Sequence, residues 1–134
     1  MIRTKGLNFK YNEQASFSFP DINLDKDENL LIIGSSGIGK TTLLHLLAGL
    51  LESNSGSITL YGQDISKLNQ HQTDKFRGQN IGIVFQKPHF VNSLTVKENL
   101  QLAQYLGNKK DQNRIIDILS SLDILDKENK KLNA

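Results

Sequence analysis

The sequence has no cysteine and no tryptophan, and only two prolines and one methionine among its 134 residues. The absence of cysteine excludes disulfide bonds and thiolate metal sites, as is usual for a protein of a reducing compartment. The apolar runs are far shorter than the ~20 residues of a membrane-spanning helix, and no apolar signal region follows Met1–Lys5. We therefore expect a soluble, cytoplasmic chain that reaches a membrane only through a partner.

A strong charge imbalance is also lacking. The net charge is +2 with 22% charged residues, so bulk electrostatics do not indicate a nucleic-acid partner. The chain has neither a basic stripe nor the long coiled-coil insertion that a nucleic-acid role would favour. The histidines at 45, 71 and 89 are far apart in the sequence and form no metal-binding pattern. We expect no nucleic-acid partner.

A glycine-rich stretch is the strongest signal present. Residues Gly34–Thr42 have the sequence Gly-Ser-Ser-Gly-Ile-Gly-Lys-Thr-Thr and fit the phosphate-binding loop pattern G-x-x-x-x-G-K-[ST]. The short apolar run Leu30–Ile33 before it predicts a buried strand. The Leu/Ala-rich run from Lys40 to Leu51 after it predicts a buried helix. Strand, loop and helix together support the motif over a chance Gly/Ser turn that precedes a lysine.

The residue types of this loop suit phosphate chemistry. Gly34, Gly37 and Gly39 are expected to adopt positive φ and to let the backbone approach a ligand, so that N–H groups form an anion nest at a helix N-terminus. We expect Lys40 to reach the β- and γ-phosphates, Thr41 to ligate Mg²⁺, and Thr42 to add a hydroxyl near the α-phosphate. The predicted nucleotide-binding residues here are Gly34, Ser35, Ser36, Gly37, Ile38, Gly39, Lys40, Thr41 and Thr42.

The rest of the pattern is strand-rich up to about Phe90 and helical after it. Alternation and apolar runs predict strands over 2–11, 15–19 (continuing through 21–24), 30–33, 57–61 and 81–86. Helices are predicted over 40–51, 66–78, 95–107 and 112–122. The third of these begins with a capping-box pattern, Thr95 followed by Glu98.

Several of these stretches resemble the ATP-binding subunit of an ATP-binding-cassette (ABC) transporter, and the resemblance covers essentially the whole chain. Leu7–Tyr11 is similar to the family's opening strand, and Gly34–Leu44 to its phosphate loop. Gly56–Ile58 followed by Gly62–Ile65 resembles the strand and turn after its first helix. The stretch from Ile81 to Asn99 resembles its glutamine-loop region.

Two shorter motifs point to one branch of this family. Ser66-Lys67-Leu68 and Phe76-Arg77 are most similar to the lipoprotein-releasing, macrolide-exporter and cell-division branch. The implied fold is an α/β P-loop NTPase core, a mixed or parallel sheet with antiparallel edge strands, joined to the start of a helical subdomain. The implied domains are an ATP-binding core over 1–88 and, over 89–134, the glutamine loop and the start of that subdomain.

The resemblance also implies roles for single residues. Tyr11 takes the position of the aromatic residue that stacks on adenine; the plainer alternative is a core or hairpin tyrosine. Gln86 takes the position of the glutamine that reaches Mg²⁺ and the attacking water, and the plainer interpretation is a surface glutamine. Lys40 and Gln86 are then the catalytic residues, Thr41 and Gln86 the metal ligands, and ATP and Mg²⁺ the cofactors.

Several downstream motifs of the family are missing from the sequence. These are the Leu-Ser-Gly-Gly-Gln signature, the strand that ends in a Mg-supporting Asp, the catalytic Glu and the switch His. We therefore interpret the chain as an N-terminal fragment whose full-length parent is an ATPase. The implied partners are transmembrane permease subunits and a second ATP-binding subunit, at the inner face of the cell membrane. The alternatives are a non-catalytic nucleotide-binding or interaction module, an inactive fragment, or a phosphate-loop kinase, for which the sequence supplies no lid or substrate site.

Overall fold

A computed structural model describes residues 1–87 and 89–131. The chain divides into two compact units, Met1–Asp74 and Lys75–Ala134, and each is described by itself. The predicted functional boundary between residues 88 and 89 stays a prediction. Leu132–Ala134, at the end of the predicted polar tail, lie outside the described residues, as does Pro88.

The first unit is built on an antiparallel sheet. Its strands are β1 Ile2–Asn12, β2 Ala15–Ser18, β3 Asn23–Leu24, β4 Ser55–Leu60 and β5 Gln63–Asp64. The strand order is β2-β1-β4-β5, with β3 also paired to β1. In the β1–β2 hairpin Phe9 lies opposite Phe17, and the register shifts between Lys10 and Asn12. Tyr11 therefore lies at an irregularity of the ladder, a place where bulges re-aim side chains.

Helices occupy most of the predicted positions. They are α1 Lys40–Leu47, α2 Gln70–Asn80, α3 Val96–Leu106 and α4 Gln112–Ser121, with short 3₁₀ turns at Ile65–Lys67 and Leu125–Lys127. The helix predicted over 66–78 is present but begins later, at Gln70. The capping box of α3 is confirmed: Thr95 and Glu98 bond reciprocally. The predictions of strands over 2–11, 15–19 and 57–61 are also confirmed within one or two residues.

A small apolar core holds each unit. In the first unit it consists of Leu7, Phe9, Leu43, Leu46, Ala48, Ile58, Leu60 and Ile65. In the second it centres on Ile115 and Leu119, on one face of α4. Helix α1 contributes Leu43 and Leu46, but Leu44 on the same helix is exposed. The prediction that this helix is buried all round is therefore wrong, because only one face of α1 is covered among the described residues.

The two buried strands predicted from apolar runs are not formed. Leu30–Ile33 and Ile81–Gln86 lie outside every strand of the described residues, and Leu31, Ile33 and Val84 are largely or fully exposed. A parallel strand is stable only when neighbours satisfy its backbone and cover both faces. In the described part of the chain no ladder includes either segment. The apolar runs indicate that these segments favour burial. Their hydrophobicity does not specify which strands or helices would cover them.

Candidate phosphate-binding site

The glycine-rich loop has the backbone conformation that its glycines permit. Gly37 and Gly39 have φ values of 84° and 98°, in the left-handed region that disfavours other residues. Gly34 lies outside this region, so its positive φ, expected from the sequence, is not observed. A Cβ at Gly34 would lie 3.1 Å from Ile38 Cγ2, so Gly34 serves a close packing contact. Ser35, Ser36 and Ile38 are exposed on the loop.

Helix α1 begins directly at the loop with its first N–H groups free of intrahelical partners. The first intrahelical bond is donated by Leu43 N–H to Gly39 O, at 2.8 Å. The N–H groups of Lys40, Thr41 and Thr42 precede that bond and have no carbonyl one turn earlier. Gly39, the N-cap, has no side chain to satisfy them. The first-turn side chains are cationic or neutral, so the positive end of the helix dipole is available to an anion.

The Lys40 ammonium group lies against the loop itself. Its Nζ donates to Gly34 O at 2.8 Å and to Ser35 O at 2.7 Å. These two bonds tie the helix back to the start of the loop. An ammonium group has three N–H donors, so one donor remains for an anion without breaking either bond. The donor set therefore fits phosphate: backbone N–H groups, a helix N-terminus and an ammonium group.

The two threonines after Lys40 differ in environment. Thr41 is exposed, and its hydroxyl oxygen is a hard ligand of the kind Mg²⁺ binds. Thr42 is buried, and its Oγ1 lies 3.3 Å from Tyr11 Oη, within hydrogen-bond distance. The structure thus gives the Thr42 hydroxyl a protein partner. Its predicted contact near the α-phosphate stays a prediction.

Tyr11 is brought next to the loop helix although 31 residues separate it from Thr42. Its ring makes edge-on contacts with Phe9 at 4.7 Å and with Phe17 at 6.2 Å between ring centroids. The ring nevertheless remains 56% exposed. Two aromatic neighbours and one hydrogen bond hold the ring, while much of its surface stays open to a flat ligand.

An aromatic pair covers the back of the loop. Phe17 and Phe19 are stacked, with ring centroids 6.1 Å apart and ring planes 11° apart. A Cβ at Gly39 would lie 2.7 Å from Phe17 Cδ1 and 3.3 Å from Phe19 Cε1, and Gly39 is buried. The strand predicted over 15–19 contains both rings, but the sequence does not predict their contact with Gly39. The available signal was the alternation of aromatic residues at positions 17 and 19.

Gln86, the other predicted catalytic residue, belongs to the second unit. It is exposed and follows Phe85, whose ring contacts that of His89 edge-on at 4.9 Å. Its approach to a metal ion near Thr41 stays a prediction, because the loop and Gln86 belong to different units.

The chain that follows Gln86 is anchored to α3 by the side chain of Asn99. Its Oδ1 accepts from Val91 N–H at 2.9 Å, and its Nδ2 donates to Val91 O at 3.2 Å and Thr95 O at 2.9 Å. One carboxamide therefore holds both ends of the turn between Val91 and Thr95. The exposed side chain of Val91 therefore lies on a turn that the hydrogen bonds of Asn99 hold in place.

The N-terminus of α3 contains the one clear pKa shift of the described residues. Hydrogen bonds from the Thr95 backbone N–H and the Thr95 hydroxyl, at 2.7 and 2.9 Å, hold the pKa of the Glu98 carboxyl below its ordinary value. The positive charge of Lys131 acts in the same direction. The segment before Lys131 adds further caps: Val96 N–H donates to Lys130 O, and Lys97 N–H to Glu128 O.

Two negative findings apply to the described residues. Within residues 1–87 and 89–131, His, Asp and Glu side chains form no group of three or more that could hold a metal ion. Over the same residues, no helix combines the length and apolar character needed to cross a bilayer.

A glycine loop that leads into an open helix N-terminus, with a lysine at its first helical position, defines the class of phosphate-loop nucleotide-binding proteins. Comparison with known proteins narrows this class. The ABC transporter family matches residues 18–134, and the chain belongs to that family. Its sequence relatives are ATP-binding subunits, so the chain corresponds to part of such a subunit.

Three relatives illustrate the branch. The chain is 29% identical to the lipoprotein-releasing system ATP-binding protein LolD of Bacteroides thetaiotaomicron, over 99% of this chain and 62% of that protein. It is 37% identical to the bacitracin export ATP-binding protein BceA of Halalkalibacterium halodurans, over 73% of this chain and 39% of that protein. It is 32% identical to the macrolide export ATP-binding/permease protein MacB of Psychrobacter arcticus, over 98% of this chain and 21% of that protein.

Solved structures support the same fold. An ATP-binding cassette solved as a dimer in a post-hydrolysis state, bound to ADP and Pi, superimposes with a TM-score of 0.87 at 23% identity. The match covers 99% of this chain and 62% of that one. The chain thus has part of the α/β cassette fold expected from the sequence. It spans 39% to 62% of the length of relatives such as BceA and LolD.

Proposed function

We propose that this chain supplies the nucleotide-binding site of an ATPase subunit that binds Mg-ATP and energises export through membrane partners. The observation that carries the proposal is the open N-terminus of α1. Its uncapped N–H groups, the left-handed Gly39 and the Lys40 ammonium group converge on one loop. This combination of donors suits a polyphosphate.

The residues divide between the parts of the nucleotide. Tyr11, exposed beside α1, offers a ring face for adenine. The loop from Gly34 to Thr42 and the Lys40 ammonium group hold the phosphates, and the Thr41 hydroxyl supplies an oxygen ligand for Mg²⁺. A second ligand from Gln86 stays what the family resemblance implies. When bound, Mg²⁺ neutralises charge on the β- and γ-phosphates. In this proposal the described residues bind and orient the nucleotide, and ATP hydrolysis requires the whole subunit.

The proposed partners follow from the relatives. The names of LolD, BceA and MacB describe release or export systems, and MacB joins an ATP-binding part to a permease in one protein. The structural neighbour is a dimer. We infer that this subunit works with transmembrane permease subunits and pairs with a second ATP-binding subunit. It would then act at the inner face of the cell membrane.

The test is ATP turnover of the intact subunit assembled with its permease. Lys40→Ala removes the ammonium group and should abolish turnover, a loss of at least about 100-fold, since phosphoryl transfer depends on positioning and charge stabilisation. Lys26→Ala, in the exposed turn before the loop, is the matched control and should keep wild-type turnover. Near-normal turnover by the Lys40 variant would overturn the proposal.

A further inference from the structure

The stacked rings of Phe17 and Phe19 lie behind the phosphate loop, on the side where β2 packs against it. Both rings are half-buried, and they face Gly39. The Phe17 contact is tight: a Cβ at Gly39 would meet Phe17 Cδ1 at 2.7 Å, closer than real Cβ atoms approach. The two rings therefore lie directly on the backbone of the helix N-cap.

Gly39 holds a demanding backbone conformation at this point. Its φ of 98° turns the chain from the loop into α1, and its carbonyl accepts the first helical bond. Any change at Gly39 therefore redirects the N–H groups of Lys40 and Thr41. A ring pair packed against this glycine limits that movement.

The same ring connects the loop to the hairpin. Phe17 contacts Tyr11 edge-on, and Tyr11 reaches Thr42 through its hydroxyl. Hairpin, loop and first helical turn thus form one packed set of contacts within the first unit. Preorganised donors bind a ligand more tightly because less ordering is left to the binding step.

We propose that Phe17, supported by Phe19, is a positioning residue of the nucleotide site: it fixes Gly39 so that the N–H groups at the start of α1 are preset for phosphate. The inference rests on the proposed nucleotide function and adds a residue that acts without contacting the ligand. Phe17 therefore affects the binding of the phosphates and not the binding of the base.

The experiment compares Mg-ATP with pyrophosphate, which has phosphates but no base, by calorimetric titration of the purified chain. Phe17→Ala should weaken both ligands about tenfold, or about 1.4 kcal/mol, because the loop loses its support. Phe17→Leu refills most of the volume and should stay within about threefold of wild type. Ser18→Ala, next to it on the exposed face of β2, is the control and should change neither affinity.

A base-contact variant separates the two roles. Tyr11→Ala should weaken Mg-ATP clearly more than pyrophosphate, since its ring meets the base, which pyrophosphate lacks. If Phe17→Ala weakens Mg-ATP alone, Phe17 contacts the base and the positioning role is overturned. Unchanged affinity of Phe17→Ala for both ligands overturns it equally. A wild-type chain that binds neither ligand overturns the proposed function itself, and with it this inference.

A spectroscopic measurement covers the case in which Phe17→Ala does not fold. In the ligand-free wild type, the Phe17 ring should shift the NMR resonances of the Gly39 Hα protons from their usual positions. Phe17→Leu should remove most of this ring-current shift. Its affinities then decide: a twofold to threefold loss for both ligands supports positioning, and affinities equal to those of the wild type overturn it.

Discussion

Tyr11 Oη and Thr42 Oγ1 lie 3.3 Å apart and join the β1–β2 hairpin to the first turn of α1. The two residues differ in exposure to solvent, because Thr42 is buried whereas Tyr11 is mostly exposed. This hydrogen bond connects Tyr11, the proposed adenine-stacking residue, to the proposed phosphate-binding loop. The two ends of a nucleotide would thus be held by one connected set of residues.

Tyr11→Phe keeps the ring and removes only the hydroxyl. It leaves the buried Thr42 hydroxyl without this partner, so the free energy of unfolding should fall by about 1–2 kcal/mol. Urea unfolding at neutral pH measures the loss. Tyr61→Phe, at a largely exposed tyrosine in the same unit, is the control and should stay within about 0.5 kcal/mol of wild type. Equal stabilities of all three proteins would contradict a bond between Tyr11 and Thr42.

Gly39→Ala introduces two costs at once. The alanine must adopt a φ near 98°, and its Cβ must displace the Phe17 ring from 2.7 Å. Gly62→Ala isolates the first cost, because Gly62 has a φ of 85° and open space around the added Cβ. We expect Gly62→Ala to cost about 1 kcal/mol and Gly39→Ala about 2–4 kcal/mol, measured by denaturant unfolding. A Gly39 variant no less stable than the Gly62 variant would argue against the packed rings.

The capping box of α3 should make stability depend on pH. Hydrogen bonds from Thr95 lower the pKa of Glu98 in the folded protein, so the unfolded state binds the proton more readily. The stabilisation is therefore complete above the unfolded pKa of about 4.3, and it is lost as pH falls through the lower folded value. Glu98→Gln keeps the side-chain shape and cannot titrate.

Urea unfolding of wild type and Glu98→Gln at a series of pH values from 7 to 2 tests this sign. The wild type should be the more stable protein at pH 7, and its advantage should shrink as the pH falls below about 4.3. Glu13→Gln, at an exposed glutamate of the first unit, serves as a control for general acid effects. An advantage of the wild type that grows as the pH falls would show that the folded pKa is raised.

Local chemistry was the part of the site that the sequence could predict. The loop pattern, the left-handed glycines at 37 and 39, and the Thr95–Glu98 capping box depend on residues a few positions apart. Such features follow from φ preferences and short-range hydrogen bonds, which a single sequence reveals.

Contacts between distant segments could not be predicted in the same way. The partner of Thr42 is 31 residues away, and the rings over Gly39 are those of Phe17 in β2 and of Phe19 just after it. The apolar runs at 30–33 and 81–86 predicted burial, yet both lie outside the ladders of the described residues. Burial of a strand depends on which neighbours pair with it, and hydrophobicity does not specify those neighbours.

The most direct test of the account is the affinity of the purified chain for Mg-ATP, measured calorimetrically for wild type, Lys40→Met and Lys26→Met. Loss of a charge-assisted contact with phosphate should weaken binding by Lys40→Met roughly 30- to 100-fold, about 2–3 kcal/mol. Lys26→Met, which removes a charge from an exposed turn, should bind like the wild type. Equal affinities of the Lys40 variant and the wild type would contradict phosphate binding by this loop.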